Sequence, residues 1–206
     1  MFSGIIETTG RVAGRVKDQL AIVPRRLFQG LKVGESISVD GVCLTLHQIG
    51  DVLKGDTLRR RVSPWGLSPL FFRLLPETTR ASTLGLVEVG SPVNLERSLR
   101  LGDRIGGHFL LGHVDGQGAI VARHREGETL TLEIELPKNL SSFLVSKGPI
   151  GVDGVSLTLD PKVAGNRIRV HLVAHTLSAT ALGQKAVRDR VNLEVDLIAK
   201  YLRAML

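Results

Sequence analysis

A period-two alternation of apolar and polar residues marks one stretch that the chain contains twice. The copies are Val39–Leu46 and Val152–Leu159, and they differ only in Cys43 against Ser156. Alternate residues of a β-strand share a face. The pattern therefore predicts two equivalent strands, each with an apolar face and a face that carries Cys43 or Ser156 with a threonine two positions later. That second face either contacts a ligand or is packed, and the alternation alone favours neither.

Further matches extend the repeat over most of the chain. Three more pairs of segments align in the same order: Gly4–Gly10 with Gly112–Gly118, Glu77-Thr78 with His175-Thr176, and Val93–Glu96 with Val191–Glu194. They predict two homologous halves, at residues 1–97 and 98–196, followed by a terminal segment at 197–206. The offset between the halves falls from 113 to 98, so the first half contains 113 − 98 = 15 additional residues, within about 53–75.

Both halves have the pattern of β structure. Short runs bounded by turn or charged residues predict strands at 20–23, 36–39, 42–48, 93–96, 118–122, 129–136, 155–159, 167–172 and 191–195. Such spacing is typical of a small barrel or sandwich. Short helices are predicted at 24–29, at 137–144 and after Thr78 and Thr176.

The terminal segment has helical periodicity. Its apolar residues form one stripe on a helix, at Leu197, Ile198, Tyr201, Leu202 and Met205. The stripe either packs on its own barrel or associates with other copies of the chain.

Composition narrows the classes of function. The formal net charge is +7, but the basic residues are scattered and aromatic residues make up 4%, so we predict no nucleic-acid interface. The single cysteine, Cys43, excludes an intrachain disulfide. No stretch approaches the roughly 20 apolar residues of a membrane span, and the first residues lack the pattern of a signal peptide. We therefore expect a cytoplasmic protein that does not bind membranes.

The segment Gly106–Gly116 concentrates potential chemistry in His108, His113 and Asp115. A strand would place the two histidines on opposite faces, and the remaining pair falls short of the ligands that zinc requires, so we predict no metal site. A histidine that transfers protons is the better functional interpretation; a buried core histidine is the alternative, more so for His108 than for His113. No base adjoins Cys43 or Ser156, and no nucleophile elbow or phosphate-binding loop is present.

Six motifs, one of them present twice, carry a resemblance to a known family: Met1–Glu7, the two Val-Asp-Gly-Val-(Cys/Ser)-Leu-Thr strands, Pro76-Glu77-Thr78, Gly106-Gly107-His108, Gly112–Gly116 and Val191–Glu194. Together they resemble riboflavin synthase of the alpha-chain type over nearly the whole chain. The resemblance implies an all-β fold of two tandem duplicated six-stranded antiparallel Greek-key barrels plus a C-terminal α-helix. It also implies a homotrimer associated through that helix, with lumazine synthase as a candidate partner.

The same resemblance implies an activity that uses no cofactor or metal. Two molecules of 6,7-dimethyl-8-ribityllumazine would dismutate by four-carbon-unit transfer, giving riboflavin and 5-amino-6-(D-ribitylamino)uracil in the last step of riboflavin biosynthesis. Two similar pockets would hold the two identical substrates, one as donor and one as acceptor. The exchange of Cys43 for Ser156 is a candidate for that difference.

Site residues follow from the resemblance by position. The first pocket would use Gly4, Ile5, Ile6, Cys43, Leu44, Thr45, Glu77 and Thr78; the second would use Gly112, His113, Val114, Lys147, Ser156, Leu157, Thr158, His175 and Thr176. The proposed catalytic residues are His113 for proton transfer and Ser156 or Cys43 for adding to the lumazine or directing water, with Ser36 as a secondary candidate.

Two other functions remain open from the sequence. One is a non-catalytic relative that holds a lumazine or flavin, as the antenna proteins of luminous bacteria do. The other is a basic nucleic-acid-binding barrel. The presence of His108, His113 and both threonines of the repeated strand favours the enzyme.

Overall fold

A closed antiparallel barrel forms the first half of the computed structural model, which describes residues 1–50, 65–160 and 165–205. Its strands are β1 (Thr8–Val16), β2 (Gln19–Pro24), β3 (Ser36–Val39), β4 (Val42–Ile49), β5 (Leu70–Arg73) and β6 (Pro92–Arg97). They are hydrogen-bonded in the order β1-β2-β5-β4-β3-β6, and β6 closes the barrel on β1. Since β6 returns beside β3 after the β3-β4-β5 hairpins, the topology is a Greek key.

A second six-stranded antiparallel sheet repeats this order. Its strands are β7 (Gly116–Glu126), β8 (Thr129–Glu135), β9 (Pro149–Val152), β10 (Val155–Thr158), β11 (Arg167–Leu172) and β12 (Arg190–Val195). The sheet order is β10-β9-β12-β7-β8-β11, and its two ends meet at a single bridge between Leu159 and Val170. We call the two sheets the first and second barrels. The prediction of a duplicated, six-stranded all-β fold is confirmed.

The burial pattern confirms the two faces of the repeated strand. Val42, Leu44 and Leu46 are buried in the first core, whereas Cys43 is half-buried and Thr45 is exposed. In β10, the corresponding apolar residues are buried in a separate second core, and Ser156 and Thr158 lie on the outer face. The candidate polar residues therefore lie outside each barrel.

Some local predictions were wrong or incomplete. Residues 24–29 form a bend and turn rather than a helix, because Pro24 still pairs with Gly10 at the end of β2. Strand β1 escaped prediction because its glycines and arginines hide the alternation. Strand β5 was missed because Leu70–Phe72 is buried throughout, and β9 because its Pro149 and Gly151 are untypical of a strand. In the range given for the 15 additional residues, about 53–75, positions 53–64 lie outside the described residues, including Arg59–Arg61, whereas Leu70–Arg73 is a barrel strand.

Short helices follow the corresponding strands of each barrel. They are α1 (Pro76–Ala81) after β5 and α2 (Ala174–Ala179) after β11, each followed by a 3-10 turn, at Thr83–Gly85 and Leu182–Gln184. A third 3-10 segment, Lys138–Phe143, lies within the predicted helical range 137–144.

The two Val-Asp-Gly turns meet back to back between the barrels. A Cβ on Gly41 would lie 2.7 Å from the backbone nitrogen of Gly154, and both glycines have φ near +80° (+79° and +78°), so no other residue fits without strain. Around them, Asn94 Nδ2 donates to the carbonyl of Asp153 at 2.9 Å, and Asn192 Nδ2 donates to that of Asp40 at 2.8 Å. This reciprocal arrangement joins the barrels about a pseudo-twofold axis.

Both aspartates of this junction are buried. Asp40 accepts the backbone N–H of Asn94 and Asp153 that of Asn192, each at 2.7 Å. Burial raises the pKa of both carboxyls, and the proximity of Asp153 raises that of Asp40 further. Lys185 lies 3.2 Å from Asp153 Oδ2 and lowers both pKa values in opposition to burial.

The C-terminal helix α3 (Leu197–Ala204) confirms the helical periodicity of the tail. Asp196 caps it by accepting the N–H of Ile198, and Lys200 pairs with Asp115 at 2.8 Å. Four residues of the apolar stripe are more than half exposed: Ile198, Tyr201, Leu202 and Met205. In the single chain, the stripe is therefore not covered by its own barrel. Among the described residues, no helix has the length and apolar character to cross a membrane.

Candidate active site

The N-terminal segment crosses from the first barrel to the second. Phe2, which is 1% exposed, exchanges backbone hydrogen bonds with Leu110 at 2.7 and 3.1 Å. The carbonyl of Gly4 then accepts the N–H of Ser156 at 2.9 Å, and Ile6 packs against the second core. The start of the chain thus forms one wall beside β10.

The equivalent segment of the second half makes the reverse crossing. The carbonyl of Gly112 accepts the N–H of Cys43 at 2.9 Å, and Val114 packs against the first core. Our grouping by chain order is corrected here: Gly4, Ile5 and Ile6 belong with Ser156, and Gly112, His113 and Val114 belong with Cys43. Each segment precedes its own barrel in sequence but completes the other one.

Buried glutamates from the repeated Val-Asn-Leu-Glu motif hold both crossings. Glu96 accepts the backbone N–H of Ser3 at 2.8 Å and that of Gly4 at 3.1 Å. Glu194 accepts the corresponding N–H groups of Leu111 at 2.7 Å and Gly112 at 3.0 Å. Burial raises the pKa of both carboxyls, that of Glu194 to about 7.

A histidine–serine pair lies at the second barrel. His108 Nδ1 lies 2.7 Å from Ser156 Oγ, and its buried Nε2 has no partner among the described residues. Burial lowers the pKa of His108, against a smaller opposing effect of Asp196. A neutral imidazole at this distance can accept a proton from the Ser156 hydroxyl or return one to it.

Gly107 makes the approach of His108 sterically feasible. A Cβ on Gly107 would lie 2.1 Å from the carbonyl oxygen of Ser3 and 2.5 Å from the Ser156 Cβ. The Gly-Gly pair before His108 was the available signal that this histidine enters a crowded site. Sequence reasoning missed the pairing of His108 with Ser156, because 48 residues separate the two along the chain.

The first barrel has a different environment at Cys43. The thiol is free and half-buried, and within the described part of the chain no imidazole forms a hydrogen bond with it. His113 follows Gly112, which contacts Cys43, and is exposed. Ser36 lies opposite Thr45 in the β3–β4 ladder. The structure thus brings Ser36, Cys43 and His113 to the first barrel, whereas His108 lies beside Ser156 at the second barrel.

A cavity of about 400 Å³ lies along the outer face of the second barrel. It is lined by Lys147, Ser156, Leu157, Thr158, Leu159, Asp160 and His171. Lys147 has φ +62° where the first half has Gly34, a left-handed backbone that costs a lysine about 1 kcal/mol. Side chains held in such backbone conformations are frequent at binding sites, and this one borders the cavity.

Four predicted binding residues lie on the short helices after β5 and β11. Glu77 pairs with Arg80, and the carbonyls of Thr78, His175 and Thr176 accept bonds from Ser82, Ser178 and Thr180 respectively. These interactions are all with residues three or four positions along the chain, so contact of the four residues with a ligand remains a prediction. In the described ranges, no group of three or more His, Cys, Asp or Glu side chains is arranged to hold a metal ion.

Two tandem barrels, each completed by a segment of the other half, define a lumazine-binding class of protein. A family model described as the lumazine binding domain matches residues 3–98 and 111–196. Full-length similarity narrows the class, and the chain belongs to the riboflavin synthase family. It is 40% identical to the riboflavin synthase of Mycobacterium tuberculosis (strain CDC 1551 / Oshkosh), covering 100% of this chain and 98% of that protein.

Other relatives agree with this assignment. The riboflavin synthase of Brucella abortus (strain 2308) is 37% identical over 98% of this chain and 96% of its own length; that of Bacillus subtilis (strain 168) is 34% identical over 98% and 88%. Solved structures of LumP share the fold: the riboflavin complex has a TM-score of 0.79 at 22% identity, covering 95% of this chain and 99% of that chain. The complex with 6,7-dimethyl-8-(1'-D-ribityl) lumazine has a TM-score of 0.75 at 23% identity and the same coverage.

Proposed function

We propose that this chain converts two molecules of 6,7-dimethyl-8-ribityllumazine into riboflavin and 5-amino-6-(D-ribitylamino)uracil. The observation that carries the proposal is the paired construction of the site. Each barrel presents one polar strand face, at Cys43 or Ser156, against a main-chain segment contributed by the other half. Two such sites suit two identical substrates. In addition, the full-length relatives of this chain carry the name riboflavin synthase.

The reaction balances between its two substrates. One lumazine loses four carbons, the other gains them, and no external oxidant or reductant is required. What the protein must supply is orientation and proton transfer, and alignment of two bound reactants can be worth an effective molarity of about 10⁵–10⁸ M.

Ser156 and His108 are the residues to which we assign proton transfer in the second barrel. His108 would hold a proton from Ser156 Oγ while that oxygen adds to a lumazine ring or directs a water to it. His113, which aligns with Ile5 rather than with His108, and Cys43 would take these roles in the first barrel, with Ser36 on the neighbouring strand. The different partners of Ser156 and Cys43 supply the asymmetry that donor and acceptor roles require.

Assembly is the second part of the proposal. The exposed stripe of α3 supports a homotrimer formed through residues 197–206, with the barrels at 1–97 and 98–196 as domains. Sedimentation of the intact chain and of an Ile198→Glu/Leu202→Glu variant tests the trimer. We expect a trimer for the intact chain and a monomer for the variant, and a monomeric intact chain contradicts the proposal.

The compartment and the protein partner complete the proposal. The free Cys43 suits a reducing compartment, here the cytoplasm. Lumazine synthase is the proposed partner, and co-sedimentation of the two proteins tests their association.

The deciding experiment for activity supplies the lumazine alone. We expect riboflavin absorbance and fluorescence to develop, with equal rates before and after chelator treatment. Binding of the lumazine without formation of riboflavin would instead favour a lumazine-holding protein, the alternative suggested by the fold shared with LumP.

A further inference from the structure

A row of polar side chains extends from Ser156 along the outer face of the second barrel. Thr158 and Asp160 follow at two-residue intervals, so they point to the same side as Ser156, and all three line the cavity of about 400 Å³. The Leu159–Val170 bridge places His171 across from Thr158. His171 Nε2 lies 3.1 Å from Asp160 Oδ2, so an imidazole–carboxylate pair forms the end of the row away from Ser156.

Side chains of β8 and β11 contact this imidazole–carboxylate pair. His171 Nδ1 lies 3.0 Å from Thr131 Oγ1 on β8. Arg169 lies 4.0 Å from Asp160 and is itself bonded to Glu133 at 2.5 Å. The Asp160 side chain is only 15% exposed. The orientation of both groups is therefore determined before any ligand arrives.

The first barrel has different chemistry at the same two positions. The offsets of the repeat align Asp160 with His47 (160 − 113) and His171 with Arg73 (171 − 98). The ladders confirm the alignment as far as Leu46, which pairs with Phe72 where Leu159 pairs with Val170, whereas His47 lies in a register shift between Leu46 and Gln48. The second barrel thus has an acid–base pair at these positions, and the first barrel has two basic residues.

We propose that Asp160 and His171 determine specificity for the polyhydroxyl chain of the ligand in the second pocket. The inference rests on the proposed function, in which Ser156 acts at a ring carbon next to the nitrogen that carries the chain. The backbones of Gly4 and Gly107 pack directly against Ser156, so we place the chain on the other side of Ser156, where it extends past Thr158, about 7 Å along the strand. There Asp160 accepts hydrogen bonds from the outer hydroxyls, and His171 orients the carboxylate.

The test separates recognition of the chain from recognition of the ring. KM and kcat are measured with the ribityl substrate, and an inhibition constant with 6,7-dimethyl-8-(2-hydroxyethyl)lumazine, which lacks the outer hydroxyls. Asp160→Ala should raise KM about tenfold, the scale of one hydrogen bond to a charged group, with kcat within about twofold and the inhibition constant unchanged. Asp160→Asn and His171→Gln should give smaller increases.

Glu135→Ala is the matched control, because it removes a carboxylate from the same outer face, outside the cavity lining, whose hydrogen-bond partner is Asn166 rather than Arg169, Asp160 or His171. It should change neither constant. An unchanged KM for Asp160→Ala overturns the inference, and so do KM and inhibition constants that rise together, since that indicates a structural role. If the wild type forms no riboflavin, the proposed function fails by itself. Dissociation constants of the ribityl and hydroxyethyl lumazines, measured by fluorescence on the same variants, then decide this inference independently.

Discussion

The two barrels differ in the side chains beside their pockets and agree in the residues that hold their backbones. Both have the same strand order, the same Asp-Gly turn and a corresponding glutamate that accepts backbone hydrogen bonds from a crossing segment. They diverge at Cys43 against Ser156 with its histidine, and at Val87 against Lys185 in the junction. The comparison indicates that the duplicated scaffold is maintained by hydrogen bonds to main chain, which leaves the outer side chains free to acquire separate roles.

The largest expected difference between the barrels concerns turnover. Ser156→Ala removes the hydroxyl that faces His108 and should slow riboflavin formation by about a hundredfold or more, the scale of lost acid–base catalysis. Cys43→Ser keeps a small polar group and should retain at least about a tenth of the rate. Single-turnover riboflavin fluorescence measures both, with lumazine binding as a check on folding. Equal, small losses would show that neither side chain takes part in the chemistry.

The next prediction concerns the charge that only the second half contributes to the junction. Lys185→Met leaves buried Asp153 and Asp40 without a nearby cation and should reduce the free energy of unfolding by about 3 kcal/mol. Urea unfolding measures the loss. The loss should shrink as the pH falls, because both carboxyls have raised pKa values and protonation removes the unpaired charge.

The double variant Lys185→Met/Asp153→Asn is the control for that prediction. It removes the cation together with the carboxylate it faces, so most of the lost stability should return. A double variant as unstable as Lys185→Met would mean that packing of the lysine stem, rather than charge pairing, stabilises the junction.

A pH profile can test the assignment of His108. Its pKa lies below the ordinary value of 6.5 because the imidazole is buried, so the neutral form predominates above pH 6.5. Turnover, and the stability that the neutral imidazole contributes, should both be lost as the pH falls through the lowered pKa. The acid limb of kcat/KM should therefore have a midpoint below 6.5 and disappear, with a lower rate, in His108→Gln. An unaltered acid limb in that variant would assign the titration to another group.

The smallest expected effect is a difference in the pH dependence of stability between Glu194 and Glu96, the glutamates that hold the two crossings. The pKa of Glu194 is raised from 4.5 to about 7 by burial, so its contribution to stability is complete below pH 4.5 and is lost as the pH rises through about 7. Glu194→Gln should flatten the stability profile between these values by about 1–2 kcal/mol, a figure reduced for solvent screening. Glu96 is raised by the same cause, but the hydroxyl and N–H of Ser3 oppose it. We expect a smaller change in Glu96→Gln, and identical changes would contradict the comparison.

Particular residues show how far the sequence could lead. The alternation around Cys43 and Ser156 correctly predicted which side chains face the core, because burial follows the period of a strand. It could not predict β5, since Leu70–Phe72 is buried throughout and shows no alternation. Asp160 and His171 also escaped attention, because only the bridge beside them brings two distant strands together.

The sequence by itself determined the duplication, the all-β class, the polar faces of the repeated strands and the resemblance that names the family. All of these depend on local periodicity or on repeated segments, which are visible without coordinates. Only the tertiary structure decided that Gly4 completes the second barrel and Gly112 the first, and that His108 meets Ser156. The glutamates that hold the two segments recur in the sequence, but they do not show which barrel each segment joins. The contacts of Gly4 with Ser156 and of Gly112 with Cys43 are backbone hydrogen bonds, which accept any residue type except proline as the donor. Such bonds leave no pattern in the order of side chains, so the composition of each pocket became evident only when the chain was folded.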